Sequence, residues 1–322
     1  MRNAEPLIRN RTVCSKLRKM KPDPRRVTLQ DLPALMPLYA ALLSRPLTLE
    51  RLELRFQRLE ACPEISAQWL VEEDGATLAL CDWEANDYGP PDSLRLNVWV
   101  EPGAHGRGFG TALLKLAEQT GKLLSANIAD DDPPSLAWAE KRGFVFHAHR
   151  FESKLDPQEF DPAQHAQPLP EGVTLGDMAG ASAAEWDELA ALLIETFAQT
   201  PDAQGLPKWS VETARKAVQL SPQMRPEWLV CARRGGRLMG FTAALDMPGM
   251  VYNQMTGVAD TAKGLGLAYL MKAELLRRLK AAGVSDVRTH NHAANLAMLR
   301  VNEKLGYVRQ HGRWEVRRSG SS

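Results

Sequence analysis

Two short segments of this chain combine glycines with an adjoining apolar helix in a way that suits anion binding. They read AHGRGFGTALLK at residues 104–115 and TAKGLGLAYLMK at residues 261–272. In both, two glycines separated by one residue stand where a strand gives way to a helix. Such a turn leaves several backbone N–H groups unpaired at the positive end of the helix dipole. Because glycine lets the backbone come close to a phosphate, we expect at least one loop to bind one.

The loops lack the marks of two common nucleotide-binding turns. A phosphate loop of the nucleoside triphosphatases requires Gly-Lys followed by Ser or Thr, and neither segment has it. A dinucleotide-binding turn requires a third glycine and a parallel sheet that begins with the first strand. Here a hairpin is predicted before each loop, so neither assignment holds.

The elements that must position the loops occur twice in the same order. A short strand, two helices and a hairpin lead into a strand and its glycine loop; a helix, a strand, a helix and a closing strand follow. The hairpins are predicted to turn at Asp74-Gly75 and at Gly235-Gly236, since such pairs favour tight turns. This shared order predicts a duplicated domain. We predict strands at 93–100, 125–128, 250–258 and 284–290, and helices at 110–124, 135–142, 267–282 and 295–305.

The chain of 322 residues is long enough for two domains. We place the first repeat at residues 26–158 and the second repeat at residues 171–322. A linker at 159–170 lies within a stretch rich in proline and polar residues. Residues 1–25 form a basic tail. We interpret the tail as a mobile extension, or as a translation start assigned too far upstream with Met20 as the true one; an anion-binding arm is the alternative.

Composition limits the class of protein and its partners. Hydrophobic residues make up 44% of the chain and charged residues 25%, which is typical of a globular soluble protein. The net charge of +1 provides no field that would attract nucleic acid or an anionic membrane, and we expect neither as a partner. The four cysteines have neither disulfide nor metal spacing, so we expect a cytoplasmic protein without a metal site. A monomer and a homodimer both remain open.

The residues around the two loops resemble a known family. The segment from Val100 to Gly110 is similar to the acetyl-CoA loop of the GNAT acetyltransferases, whose pattern is Arg/Gln-x-x-Gly-x-Gly/Ala, and the segment from Val258 to Ala268 fits the same pattern. Residues 289–307, THNHAANLAMLRVNEKLGY, resemble the T-x-N…N…M…N…LG-F segment of one GNAT subgroup. WAEKRGF at 138–144 is a looser counterpart. The layout is similar to that of the mycothiol synthase-type double acetyltransferases.

The resemblance implies a mixed α/β fold with two tandem GNAT-like domains, each a mostly antiparallel mixed sheet flanked by helices. It also implies that acetyl-CoA is the cosubstrate of an N-acetyltransferase, which transfers the acetyl group directly to the primary amine of a small molecule. The implied cofactor-binding residues of the second repeat are Thr256, Val258, Lys263, Gly264, Leu265, Gly266, Leu267, Ala268 and Asn295. Those of the first repeat are Val98, Val100, His105, Gly106, Arg107, Gly108 and Gly110.

The loops depart from the family pattern at its first position. His105 and Lys263 stand where the family usually has Arg or Gln. A lysine can meet a phosphate as a point charge, whereas a neutral histidine contributes less at pH 7. Arg107 could supply the missing cation of the first loop, or it could be a solvated loop arginine. Asn295 is either a ligand of the pantetheine or a plain helix N-cap.

The predicted catalytic groups also depart from the family. Its usual tyrosine is replaced by Ala139 in the first repeat and by Asn302 in the second. Asn302 can donate an N–H to the thioester sulfur, so we expect the second repeat to be catalytic and the first to be mainly structural. His290 and His292 are candidates for the general base, with helix capping or a surface role as the alternative. We predict Asn302 and His292 as the catalytic residues of the second repeat. The competing function is a CoA-binding or interaction module in which both repeats have lost turnover.

Overall fold

The computed structural model describes residues 23–43, 47–86 and 89–320 of the chain. Most of the predicted basic tail, including Met20, lies outside these residues. The chain divides into two compact units. Of the described residues, the first comprises 23–43, 47–86, 92–124 and 319–320, and the second comprises 89–91 and 125–318. Within the described residues no helix is long and apolar enough to cross a membrane.

The first unit builds an antiparallel sheet in the order β1-β2-β3-β4. Asp74 and Gly75 both have a positive φ, 51° and 78°, which is the geometry that a tight hairpin turn between β2 and β3 requires. The helices α1 and α2 bury Leu35 and Leu52 against the sheet. The elements are β1 Arg25–Arg26, α1 Leu32–Leu43, α2 Leu49–Glu60, β2 Ala67–Glu73, β3 Ala76–Ala85, β4 Ser93–Val100 and α3 Phe109–Glu118.

The second unit builds a larger sheet in the order β5-β12-β6-β11-β10-β9-β8-β7. Its strands β10 and β11 run parallel, whereas β6 runs antiparallel to both of its neighbours. The elements after α3 are β5 Leu123–Ala129, α4 Pro133–Glu140, β6 Val145–Leu155, β7 Val173–Gly176, α5 Ala183–Ala198, α6 Val211–Ala217, β8 Met224–Arg234, β9 Arg237–Met247, β10 Met250–Val258, α7 Leu267–Ala281, β11 Val287–His292, α8 Leu296–Lys304 and β12 Val308–Arg318.

The helices of the second unit cover its sheet with two separate apolar clusters. α7 packs on β8, β9 and β10 and buries Met271 and Leu275. α5 packs on β9 and β10 and buries Leu189 and Leu193 in a different cluster. The run of buried residues from Leu238 to Leu245 in β9 follows from this arrangement, because a strand covered on both faces has no solvent side.

Strand β6 lies between two strands of the other repeat. Although β6 belongs to the first repeat of the sequence, it pairs with β11 on one side and with β12 on the other. The compact units therefore divide near residue 125, whereas the sequence repeats divide near residue 158, and the domain limits stay a prediction. Part of the predicted linker is packed: Phe160 is buried, and its carbonyl accepts a hydrogen bond from the Lys280 amine at 2.7 Å.

Several predicted limits differ from the structure. The helix predicted over 110–124 ends at Glu118, because Gly121 has a φ of 67° that a helix cannot continue through, and β5 begins at Leu123. The strand predicted over 284–290 is β11, which begins at Val287 and ends at His292. Among the described cysteines, Cys62, Cys81 and Cys231 are free thiols.

Candidate functional site

The two glycine loops have the same backbone geometry. Gly106 and Gly264 have φ values of 78° and 82°, and Gly108 and Gly266 have values of 92° and 74°. These are left-handed conformations, which glycine adopts without steric cost. Gly108 and Gly266 are the N-caps of α3 and α7, and a 3-10 turn precedes each loop. The sequence pattern therefore corresponds to one turn built twice.

The start of α7 offers free hydrogen-bond donors. The first bond into the helix runs from the Leu270 amide to the Gly266 carbonyl at 3.1 Å. Within the described residues, the amides of Gly266, Leu267 and Ala268 have no acceptor. A Cβ placed on Gly264 or on Gly266 would meet no atom within 4 Å, so the space beside the loop is open. Unpaired amides beside open space at a helix N-terminus fit a phosphate group.

The three side chains predicted to meet the phosphates, those of Lys263, Arg107 and His105, each contact a group of the protein itself. The Lys263 amine lies 2.6 Å from an Asp260 carboxylate oxygen and 2.7 Å from the Gln199 side-chain oxygen. Arg107 forms a two-pronged ion pair with Glu73, at 2.7 and 2.9 Å. The His105 ring instead contacts the carbonyl of Val100. Both ion pairs are partly exposed, so an incoming phosphate can exchange with the carboxylates at modest cost.

Beside the second loop, β10 and β11 pair only at their beginnings. The paired residues are Val251 with Val287 and Tyr252 with Arg288, after which the strands separate while β10 continues to Val258. The Ala259 amide donates to Met239 of β9 at 2.9 Å. Because successive amides of an extended strand point to opposite edges, the N–H groups of Val258 and Thr256 point to the edge that β11 has left. We call this the open edge of β10.

The second repeat has a β-bulge beside the open edge, and the first repeat does not. Asn253 pairs with Ala244 and Met255 pairs with Ala243, which leaves Gln254 as an extra residue in β10. In the first repeat, β3 and β4 pair without interruption from Ala79 to Ala85. A bulge increases the local twist and changes where the side chains on its strand point. The two repeats therefore share the loop but differ at the strand beside it.

Asn302 is buried and held by another asparagine. Asn302 is only 2% exposed, and its side-chain nitrogen donates to the Asn291 side-chain oxygen at 2.7 Å. Asn291 donates in turn to Ser153. The side-chain oxygen of Asn302 has no partner within the described residues. Asn302 therefore has one side-chain N–H that the bond to Asn291 does not use, and a buried oxygen without a partner.

The turn after α8 confirms the predicted alignment of the two repeats. The Tyr307 amide donates to the Asn302 carbonyl at 3.0 Å, and the Phe144 amide donates to the Ala139 carbonyl at 3.2 Å. Ala139 and Asn302 therefore hold equivalent places. Asn295 is the N-cap of α8, where its side-chain oxygen accepts from the Met298 amide at 3.4 Å. This bond explains Asn295 as a structural cap.

The two histidines on β11 differ in their hydrogen bonds. The Nδ1 atom of His292 accepts from the Ala294 amide at 3.1 Å, so its neutral ring carries the proton on Nε2. Such a ring can donate but has no lone pair left to take a proton from a substrate. The Nδ1 atom of exposed His290 lies 3.2 Å from the Tyr252 hydroxyl. If Nδ1–H donates to this hydroxyl, Nε2 is free to accept, and the geometry favours His290 over His292 as a base.

Desolvation by the surrounding protein favours the neutral form of these groups, including His290, although that residue is exposed at the surface. It lowers the pKa of both His290 and His292 below the ordinary value of 6.5, and it raises the pKa of Tyr252 to about 12. At pH 7 both imidazoles are therefore available in the neutral form that a base or a donor requires.

The structure brings together one group of possible metal ligands that the sequence did not indicate. Ligand atoms of Asp130, Asp131 and His311 lie within 4.8 Å of one another. Asp130 also accepts a hydrogen bond from the His149 ring at 3.0 Å, and Asp131 and His311 are exposed. Exposed groups of this kind commonly carry no ion.

Comparisons with known proteins agree with this geometry. Residues 32–144 match the model of the acetyltransferase (GNAT) family, and residues 169–289 match an acetyltransferase (GNAT) domain. The mycothiol acetyltransferase of Thermobispora bispora is 31% identical over 254 residues, which cover 76% of this chain and 81% of that one. The chain belongs to the GNAT acetyltransferase family. The mycothiol acetyltransferase of Thermomonospora curvata is 34% identical over 218 residues, covering 66% of this chain and 69% of that one.

Solved structures share the fold over most of the chain. A GCN5-related N-acetyltransferase from Sphaerobacter thermophilus superposes with a TM-score of 0.70 at 18% identity, covering 93% of this chain and 96% of that one. A tandem GNAT protein from the clavulanic acid biosynthesis pathway gives 0.58 at 21% identity, with 80% and 83% covered. The predicted mixed α/β fold with two tandem GNAT domains is confirmed, and the protein is an N-acetyltransferase.

Sequence reasoning missed the bulge at Gln254 and a set of buried polar side chains behind β10. Nothing in the sequence around Gln254 indicates an extra residue, because a bulge is a property of the pairing with β9. The sequence does contain one indication of the buried polar side chains. Lys272 lies three and seven residues before Leu275 and Leu279, which places a charged residue on the apolar stripe of α7.

Proposed function

We propose that this acetyltransferase transfers the acetyl group of acetyl-CoA directly to the primary amine of a small molecule, and that the second repeat performs the transfer. The observation that supports this most strongly is the open edge of β10, where the N–H groups of Thr256 and Val258 face the gap beside the Gly264–Gly266 turn. Since the relatives are named mycothiol acetyltransferases, the acceptor of those enzymes is the first candidate amine.

The residues of the second repeat suit each part of a bound acetyl-CoA. The free amides at the start of α7 would receive the pyrophosphate, with Lys263 exchanging Asp260 for a phosphate oxygen. The N–H of Val258 or Thr256 would receive the thioester carbonyl and stabilise the negative charge that develops there when the amine attacks. The thiol that leaves has a parent pKa near 8.5, by analogy with cysteine, so a strong acid is not required.

The proton of the attacking amine needs an acceptor. His290 is neutral at pH 7, is exposed, and can present Nε2 while Tyr252 holds Nδ1. A base in this position contributes about 10²–10⁴-fold to the rate. We assign His290 to this step, and we assign His292 to holding the turn into α8 through the Ala294 amide.

The first repeat is assigned a mainly structural role. Its glycine loop has the same geometry, but its β4 has no bulge and Ala139 offers no side-chain donor. Its loop arginine is bound by Glu73. These differences leave a turn that can hold a phosphate without the groups that would act on a thioester.

The test is a turnover measurement with a panel of amines. Purified protein is incubated with acetyl-CoA and one primary amine at a time, including the acceptor used by the mycothiol acetyltransferases. A colorimetric thiol reagent measures the release of CoA, and mass spectrometry identifies the acetylated product. We expect thiol release that depends on one class of amine. Tight CoA binding without acetylation of any amine in the panel would instead support a non-catalytic module.

A further inference from the structure

Four polar side chains form a continuous hydrogen-bonded chain between α7 and the open edge of β10. The Lys272 amine donates to the Asn253 side-chain oxygen. The Asn253 nitrogen donates to the Thr242 hydroxyl and to the Ala243 carbonyl, both at 3.0 Å. The Thr242 and Thr256 hydroxyl oxygens lie 2.7 Å apart. We call Lys272, Asn253, Thr242 and Thr256 the polar chain.

The polar chain runs from the interior to the open edge. Lys272 and Asn253 are each 1% exposed and Thr242 is fully buried, whereas Thr256 is partly exposed. Thr256 and Thr242 are direct cross-strand partners on β10 and β9. The chain therefore ends at the residue whose backbone N–H also points into the gap between β10 and β11.

The direction of each hydrogen bond in the polar chain is determined. A backbone carbonyl can only accept, so the Asn253 atom beside the Ala243 carbonyl is the nitrogen, which also donates to Thr242, and the Asn253 oxygen faces the Lys272 amine. Thr242 is buried, and its own O–H has no acceptor within the described residues other than Thr256. An unpaired buried hydroxyl is costly, so Thr242 donates to Thr256. The proton of the Thr256 hydroxyl is thereby left to point outward.

The fold does not need this lysine. In the first repeat Leu114 occupies the place of Lys272, six residues after the N-cap glycine, and Val98 occupies that of Thr256. Leu114 is buried in the same way. Burying an amine disfavours its charged form, and burial lowers the pKa of Lys272 to about 7.

The groups around Lys272 offer no negative charge that would offset the cost of burying its amine. No carboxylate within the described residues hydrogen-bonds to it, and its amine lies 4.9 Å from the centre of the Tyr307 ring. Tyr307 is itself kept neutral, because burial raises its pKa. A lysine that costs stability where a leucine is sufficient for folding calls for a functional reason.

We propose that Lys272 is a positioning residue, which acts through Asn253 and Thr242 to hold the Thr256 hydroxyl as a hydrogen-bond donor to the acetyl group at the open edge of β10. The proposal rests on the proposed function, because it assumes that the open edge receives the thioester. It adds a side-chain donor to the backbone N–H groups of Thr256 and Val258.

The first measurement is binding, because it does not depend on turnover. A donor aimed at the acetyl carbonyl makes wild-type protein bind acetyl-CoA more tightly than CoA, by about 2- to 13-fold for one ordinary hydrogen bond. Calorimetry with both ligands should show this preference in wild type and in Thr256→Ser, which keeps the hydroxyl. In Thr256→Val and in Lys272→Met it should shrink by about 2- to 13-fold, and any preference that remains is due to the backbone N–H groups of Thr256 and Val258. A preference as large as that of wild type in either of the last two variants would overturn the proposal.

The second measurement is a double-mutant cycle on kcat. Lys272→Met and Thr256→Val should each lower kcat by about 10- to 150-fold, the worth of one hydrogen bond to a developing charge. The double variant should be no slower than the slower single one, since both remove the same bond. Leu114→Met, at the matching place in the first repeat, should leave kcat unchanged. Losses that multiply, or full activity in Lys272→Met, would contradict the proposed role.

Thermal unfolding separates positioning from packing. Lys272→Met removes a buried amine but leaves the Asn253 side-chain oxygen without its donor. Below pH 7, where the buried amine costs most, the variant should melt at the same temperature as wild type or higher. The sign follows because the folded-state pKa of about 7 lies below the ordinary lysine pKa of 10.5, so the penalty of burying the amine is full below pH 7 and fades as the pH rises toward 10.5. A lower melting temperature together with lost activity would show a packing role. If no amine is acetylated but the acetyl-CoA preference behaves as described, the positioning role stands and the proposed function fails.

Discussion

Asn302 uses one of its two side-chain N–H groups inside the protein. That bond to Asn291 fixes the carboxamide plane, so the second N–H has a definite direction from a site that is 98% removed from solvent. The sequence identified this residue through its place before the Leu-Gly-Tyr turn. It did not identify Asn291 as its partner, because that contact joins α8 to β11 and depends on how the helix packs.

Replacing Asn302 with alanine tests its share in catalysis. We expect Asn302→Ala to slow transfer by about 2- to 13-fold, since a neutral N–H to sulfur is worth about one ordinary hydrogen bond. The variant should also lose about 1–3 kcal/mol of unfolding free energy, because Asn291 keeps a buried oxygen without a donor. Steady-state kinetics and denaturant unfolding measure the two effects. A loss of activity beyond a hundred-fold with unchanged CoA affinity would mean that Asn302 does more than donate one bond.

The two histidines of β11 can be separated by their pH dependence. A general base must be neutral, so kcat should fall as the pH drops below 6.5, through the lowered pKa of His290. His290→Gln should remove this acidic limb and lower kcat by about 10²-fold. His292→Gln should keep the limb, because the Nδ1 atom of His292 is already occupied. The same change of profile in both variants, or in His292→Gln alone, would reverse the assignment.

At the scale of elements, the glycine turns provide a matched pair of substitutions. Gly108 and Gly266 both cap a helix with a positive φ and open space at the Cβ position, so valine imposes the same backbone strain on each. We expect similar losses of stability from Gly108→Val and Gly266→Val. Only Gly266→Val should abolish CoA binding at the second repeat and stop turnover, while Gly108→Val should stay within a few-fold of wild type.

Calorimetry with CoA and steady-state rates, measured on protein shown to be folded, distinguish these outcomes. Equal losses of activity from the two variants would assign catalysis to both repeats. Unchanged CoA affinity in Gly266→Val would show that the pyrophosphate lies elsewhere.

Local elements were predictable where the sequence alone determines them. β4 and β10 have the limits that alternation and flanking turns indicate, and both hairpins turn at the predicted pairs, Asp74-Gly75 and Gly235-Gly236. The bulge at Gln254 and the burial of Lys272 were not predictable from pattern. A bulge is set by register against β9, and a lysine in an apolar stripe reads as a solvated residue until Asn253 is seen beside it. The loops of the site could therefore be read from sequence, but the polar groups behind it could not.

At the scale of the whole chain, the sequence indicated the duplication but not which strands pair with one another. The sequence shows that β6 closes the first repeat, but not that it pairs with β11 and β12. Side-chain alternation identifies a strand and its faces; it does not say which edge the strand joins, because backbone hydrogen bonds are the same for every partner. The predicted boundary at residue 158 consequently separates β6 from its neighbours.

This pairing leads to a prediction about fragments. Residues 171–322 alone lack β5 and β6, so β11 would keep only its two-residue pairing with β10, and β12 would lose both of its neighbours in the sheet. The fragment also lacks Leu155 and Phe160, which pack in the cluster under α7. We expect it to aggregate or to unfold without cooperativity.

Residues 125–320, which keep these parts, should unfold cooperatively by circular dichroism. Adding a peptide of residues 143–162 to the shorter fragment should restore structure, whereas a scrambled peptide should not. Cooperative unfolding of 171–322 alone, at the melting temperature of the longer fragment, would instead show that the second repeat is an independent domain with the limits that its sequence suggests.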